Sequence, residues 1–148
     1  MAILGLFGWA LIELVEAGVR TGEPDTAAAA SGQLDQRTRA SGTEWALGIA
    51  ARSRALLSHG QAADTRYREA IERLARSRIT VHLARAHLLY GEWLRRERRR
   101  GEAREQLRTA HDMFSRIGAE GFAERAGHEL RATGETAASA PPQPGIRS

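Results

Sequence analysis

The stretch Ala84–Arg125, ARAHLLYGEWLRRERRRGEAREQLRTAHDMFSRIGAEGFAER, decides the fold. Before its central arginines, Leu88, Leu89, Tyr90, Trp93 and Leu94 are large and apolar, with Gly91 among them. After them, Ala103, Leu107, Ala110 and Phe114 recur at the spacing of one helix face. Small residues at Gly91, Ala103 and Ala110 let two helix axes come close, and Leu107 and Phe114 fill the space between them. The stretch reads as a helical hairpin followed by the start of another helix.

Working outward, the rest of the chain is also helical in pattern. Leu4–Val19 carries Leu4, Phe7, Leu11, Leu14 and Val15 on one broad face. Pro24 suits the first turn of a second helix, Asp25–Ser41, whose stripe is Ala27, Ala30 and Leu34. Gly32 inside it costs about 1 kcal/mol against Ala. Thr43 is a fitting N-cap for a third helix, Glu44–Ser58. Trp45, Leu47, Ile49, Ala50, Leu56 and Leu57 make that helix apolar on more than one side, which predicts burial between neighbours. Gln61–Ser77 follows, with Ala63, Tyr67, Ala70, Ile71 and Leu74 at helical spacing. Thr80 caps Val81–Arg98, Gly101 marks the next turn, and Gly118 ends Glu102–Ile117. A seventh helix, Gly121–Ala132, uses Phe122, Ala126 and Leu130. From Gly134 the chain is rich in Pro, Ala and Ser without periodicity, so 134–148 reads as a disordered tail behind a helical domain of residues 1–133.

The helices repeat. Ala51 matches Gly91, Ala63 matches Ala103, Tyr67 matches Leu107, Ala70 matches Ala110 and Leu74 matches Phe114, all at the one offset that separates 51 from 91. Size class is kept at every pair. The offset exceeds the ~34 residues of a minimal tetratricopeptide unit and touches the range of HEAT-like repeats, but the small–large–small order favours the former. The expected architecture is all-α, a tetratricopeptide-like, right-handed stack of antiparallel helix hairpins. Its units would be 4–41, 43–77 and 80–118, with a capping helix at 121–132. Tyr67, Leu74, Leu89, Trp93, Leu107 and Phe114 should be buried.

Composition narrows the function. The chain has 148 residues, enough for one domain with a real core or for a piece of a larger protein. Its sequence contains no Lys, so the net charge of +4 is carried by guanidinium. It has no Cys, which excludes disulfide and thiol chemistry. The apolar run Ala2–Ile12 is too short for a membrane span, and Glu13 and Glu16 interrupt its continuation. No basic leader precedes it, so a soluble cytoplasmic protein is expected, with exposed apolar surface on the first helix offering self-association.

Four stretches carry a more specific resemblance: SGTEWALGIAARSRALLSHG at 41–60, YREAIERLARS at 67–77, ARAHLLYGEWLRRERRR at 84–100 and AREQLRTAHDMFSRIGAEGFAERAGHELRATGE at 103–135. In this order they resemble the helical-repeat region of large ATP-binding LuxR-type transcriptional regulators. The resemblance covers roughly Leu14–Glu135. In that family the repeat arm lies between a nucleotide-binding module and a C-terminal helix-turn-helix. The family's phosphate-binding loop needs a Lys, so no ATPase module is expected here. After ATGE the chain enters Pro-rich sequence, so no DNA-reading domain is expected either, and the chain reads as an isolated repeat segment.

Candidate chemistry is sparse. Arg95, Arg96, Arg98, Arg99 and Arg100 form the most charged stretch; they suit the solvated C-terminal end of a helix first, and phosphates or an acidic partner second. Tyr90 and Trp93, with Trp45, are candidates to line a groove for an effector or peptide, against the plainer reading as core. No two of His59, His82, His87, His111 and His128 are spaced to ligate a metal from one helix face, so neither metal nor cofactor is expected. Glu13 with Glu16, and Glu102 with Glu105, share helix faces and read as surface charge. No acid, base and nucleophile assemble into an enzyme site.

The resemblance therefore implies a non-enzymatic interaction or sensor segment that relays the binding of a small effector or protein partner. The alternative is a stand-alone adaptor holding a peptide in a concave groove. A third reading is salt-sensitive, nonspecific nucleic-acid binding through the five arginines, without specific DNA recognition by this chain alone.

Overall fold

A computed structural model describes residues 5–77 and 79–134, with side chains from Ala10 onward. Leu4, Phe7 and the tail from 135 on lie outside that description. The described residues are all-helical: α1 (Gly5–Arg20), α2 (Pro24–Ser41), α3 (Glu44–Leu56), α4 (Gly60–Ala75), α5 (Thr80–Arg96), α6 (Arg100–Arg116) and α7 (Glu120–Ala132). Each expected helix is present, with ends displaced by a few residues at most. The chain divides into two compact units, 1–86 and 87–148, with the boundary inside α5.

In the first unit α1 packs on α2 and α3, α2 on α3, and α3 on α4. Leu11, Ile12 and Val15 of α1 meet Ala30 and Leu34 of α2, Ile49 of α3, Leu74 of α4 and Ala86 of α5 in one core. Trp45, Leu56, Ile71 and Leu83 are half-buried against it. Glu44 at the start of α3 reaches Arg73 and Arg76 at the end of α4, so these two helices run in opposite directions. They come into close contact at Gly48. A Cβ placed there would fall 2.7 Å from Leu74 Cγ. A smaller version joins α1 to α2, where a Cβ on Gly18 would fall 3.0 Å from Ala27 Cβ.

The second unit repeats the device. A Cβ on Gly91 would lie 2.6 Å from Leu107 Cγ. Leu89, Trp93, Leu107 and Phe114 are buried here, and Tyr67 and Leu74 in the first unit, as their spacing predicts. α6 and α7 pack together, with Phe114 and Phe122 stacked at 4.9 Å between ring centroids.

Helix ends show how local chemistry sets the turns. Thr43 is the expected N-cap of α3, its hydroxyl accepting from Ala46 N at 3.4 Å. Ala119 N donates to Phe114 O and Gly118 N to Ser115 O, with Gly118 at φ 75°. That pairing closes α6 and places its left-handed residue on a glycine. The same pairing closes α5, Arg99 N to Leu94 O and Arg98 N to Arg95 O, but the left-handed residue is Arg98, at φ 63°. The turn expected at Gly101 therefore falls three residues earlier, and Gly101 lies in the first turn of α6. The hydrogen-bond pattern, not the nearest glycine, decides where α5 stops.

Two consequences are measurable by urea unfolding of the whole chain. Gly91→Leu must displace Leu107 and should destabilise by about 1–3 kcal/mol, whereas Gly32→Ala, with open space at its Cβ, should stabilise by about 1 kcal/mol. Equal effects from the two changes would remove close helix approach as the reason for Gly91. Arg98→Gly relieves a left-handed L-residue at some cost in chain entropy, for a net gain of about 0.5–1 kcal/mol. A loss of stability would show that the Arg98 side chain contributes more than its backbone costs.

Candidate functional site

The residues singled out at the end of α5 separate into core and surface. Tyr90 is 2% exposed and Trp93 7%, and their rings stack with centroids 6.1 Å apart. They contribute to packing and offer little area to a ligand. Arg95 Nε donates to Glu129 Oε2 at 2.6 Å. Arg99 donates to both carboxylate oxygens of Glu102, and its guanidinium lies over the Trp93 ring, 5.7 Å from the centroid. A stacked guanidinium of this kind contributes about 0.5–1 kcal/mol. Arg96, Arg98 and Arg100 are exposed. The seven residues thus form no single groove; three guanidinium groups face solvent around one turn.

The most built polar arrangement lies in the first unit, and spacing did not reveal it. Arg85 of α5 is buried and donates to Glu13 Oε1 at 2.7 Å and to Glu16 Oε2, both on α1. Glu16 is buried and so is not the surface charge its spacing suggests, whereas Glu13 stays exposed to solvent while it holds Arg85. Arg52 of α3, 1% exposed, donates Nη1 to the carbonyl of His82 at 3.1 Å. Two guanidinium groups and two carboxylates cross-tie α1, α3 and α5, and their charges sum to zero. Removing Glu16 would strand Arg85, itself buried, in low dielectric. Burial, and then the neighbouring Arg85, push the Arg52 guanidinium down to about 9, so it still carries its proton at neutral pH. Burial, and then Arg52 and Arg85, push His82 down to about 4. Burial also lowers His87, against the raising effect of its 2.6 Å hydrogen bond to Gln106. The sequence holds one faint mark of this cluster: Arg85 sits between Ala84 and Ala86, and Arg52 between Ala51 and Ser53, as a guanidinium on a packed face would.

The second unit carries an open cleft of about 950 Å³ along α7. His111 and Ser115 of α6 form one wall; Gly121, Ala123 and Gly127 supply small residues on α7. Glu120 and Glu124 line its beginning, His128 and Arg131 its end, so its charge changes sign along the helix. Arg125, also at its edge, is held by a two-toothed pair to Glu92 at 2.7 and 2.9 Å. A smaller, apolar cleft of about 440 Å³ lies between α1 and α2, beside Leu11, Leu14 and Ala30. Among the described residues, no group of three or more His, Asp or Glu is placed to hold a metal ion, and no helix is long and apolar enough to cross a membrane. The charge cluster joins α1 and α3 to α5, and the two clefts are open surfaces, one in each unit.

Compared with protein-family models, curated proteins and solved structures, the chain matches none.

The buried imidazole makes stability depend on pH. His82 is neutral in the folded chain down to about 4, whereas the unfolded chain takes up a proton near 6.5. Stability should be complete above about pH 6.5, fall as the pH drops through that window, and lose at most roughly 3 kcal/mol by pH 4. His87 acts in the same direction. His82→Gln cannot titrate, so its unfolding free energy between pH 6.5 and 4 should fall less than that of the parent. An unchanged slope would assign the acid sensitivity to other groups.

Proposed function

We propose that this chain is a helical-repeat interaction and sensor segment, resembling the arm of LuxR-type transcriptional regulators, that relays the binding of an effector or partner and performs no chemistry. One observation carries the reading. All ten positions matched by the internal repeat are buried: Ala51, Ala63, Tyr67, Ala70 and Leu74 in one helix pair, and Gly91, Ala103, Leu107, Ala110 and Phe114 in the next. Small and large residues alternate at the same places in both, which supports a tetratricopeptide-like stack of antiparallel hairpins. Such a scaffold presents surface rather than reacting groups, and here the polar side chains brace helices. A cytoplasmic location fits this role.

A second reading, a free-standing adaptor for a peptide, is favoured by the cleft along α7, whose polar walls and small floor residues suit a protein segment better than a small apolar ligand. Sequencing the genomic locus through both ends of the reading frame separates the two. A helix-turn-helix encoded immediately downstream, in phase or one frame shift away, is the outcome expected of a regulator arm. Unrelated genes on both sides would overturn that reading and leave the adaptor.

A further inference from the structure

α1, α3 and α5 each carry a glycine where the following helix comes close. Ala27 of α2 lies against Gly18 of α1, Leu74 of α4 against Gly48 of α3, and Leu107 of α6 against Gly91 of α5. Gly127 of α7 has no such partner helix among the described residues; it is buried instead beneath the His111 and Arg131 side chains. A Cβ there would meet the His111 ring at 3.6 Å and the Arg131 guanidinium at 3.7 Å, both ordinary contacts and both with movable polar side chains. Gly127 also lines the α6–α7 cleft. A glycine inside a helix costs about 1 kcal/mol against alanine unless something uses the space. In the other three helices the following helix uses it.

The charge along the cleft sets which way a helix would lie. Glu120 and Glu124 stand at the start of α7, and His128 and Arg131 towards its end. A helix running opposite to α7 would place its first turn near His128 and Arg131, and its last turn near Glu120 and Glu124. Helices favour acidic residues in the first turn and basic residues in the last, because of their dipole. An antiparallel helix of ordinary charge pattern is thus complementary to this cleft, and a parallel one is not.

We propose that the α6–α7 cleft is a seat for an amphipathic helix of a partner protein, antiparallel to α7, with a leucine over Gly127, carboxylates at His128 and Arg131, and basic residues at Glu120 and Glu124. The leucine displaces the His111 ring and the Arg131 tip, and Arg131 turns to the incoming carboxylate. This deepens the interaction reading above. The peptide experiment can remove the seat while the locus still decides the regulator assignment.

The test titrates the ¹⁵N-labelled full chain with a synthetic sixteen-residue helical peptide bearing two glutamates in its first turn, one central leucine and two arginines in its last turn. Amide shifts confined to the cleft, at Ser115, Gly121, Gly127 and His128, are expected. Replacing the peptide's leucine by alanine, or exchanging its charged ends, should each weaken binding by about tenfold or more. Gly127→Leu in the protein fills the seat, has room for its Cβ, and should abolish the shifts while the amide spectrum stays dispersed. The two altered peptides keep the test decisive even if that variant unfolds. No shifts, shifts elsewhere, or equal binding of all three peptides would overturn the proposal. So would a concentration-dependent dimer of the chain that Gly127→Leu abolishes, because the occupant would then be a second copy.

Discussion

Close approach of helix backbones at glycine is the constraint on which the rest of this structure depends. Leu74 rests on Gly48 and Leu107 on Gly91, at separations that a methyl group would reduce below contact distance. Removing one side chain lets a leucine from the next helix lie directly on the backbone. The large residues around it, Ile49 in one unit and Leu94 in the other, are then fully buried. With alanine so common in the buried set, the cores are made of short distances rather than bulk. Dispersion rewards that only while every atom has a neighbour. A packing of this kind tolerates little growth at the contact and much change on the outer faces.

Charge does the complementary work. The basic residues are all arginine, whose planar guanidinium can hold two carboxylates at once. Arg85 uses this to join Glu13 and Glu16, and Arg125 to grip both oxygens of Glu92. These pairs cross between helices that are distant in sequence, so they specify which helices meet. Their net contribution to stability is modest, because desolvation offsets much of the attraction. Their loss is costly, because what remains is a stranded charge. Burial first, and then the two neighbouring guanidinium groups, keep His82 neutral.

The functional reading follows from where polar groups are free to act. Most interior ones are engaged in bracing. What faces outward is an arginine-rich turn around Arg98 and a cleft whose charge changes sign along α7. The cleft is the more specific of the two, because it combines a shape, a glycine floor and an ordered charge pattern. The turn offers charge alone, and Arg99 already satisfies part of it internally with Glu102 and Trp93.

By itself the sequence determined the helices and most of the core. Hydrophobic spacing and capping residues act over a few positions, so Leu107, Phe114 and Thr43 could be read without knowing their neighbours. The same locality explains the misreadings. Gly101 looked like a turn residue, but the carbonyls of Leu94 and Arg95 close α5 at Arg98. Tyr90 and Trp93 had helical spacing compatible with core or groove, and only burial distinguished the two. Glu16 looked like a solvent-facing acid because Arg85, against which it is buried, stands 69 residues away along the chain. The cleft at Gly127 was equally hidden, since a glycine in a helix carries no sign of what faces it. Tertiary structure alone decided these points, because ion pairs, burial and clefts are properties of helices brought together, whereas periodicity belongs to each helix by itself.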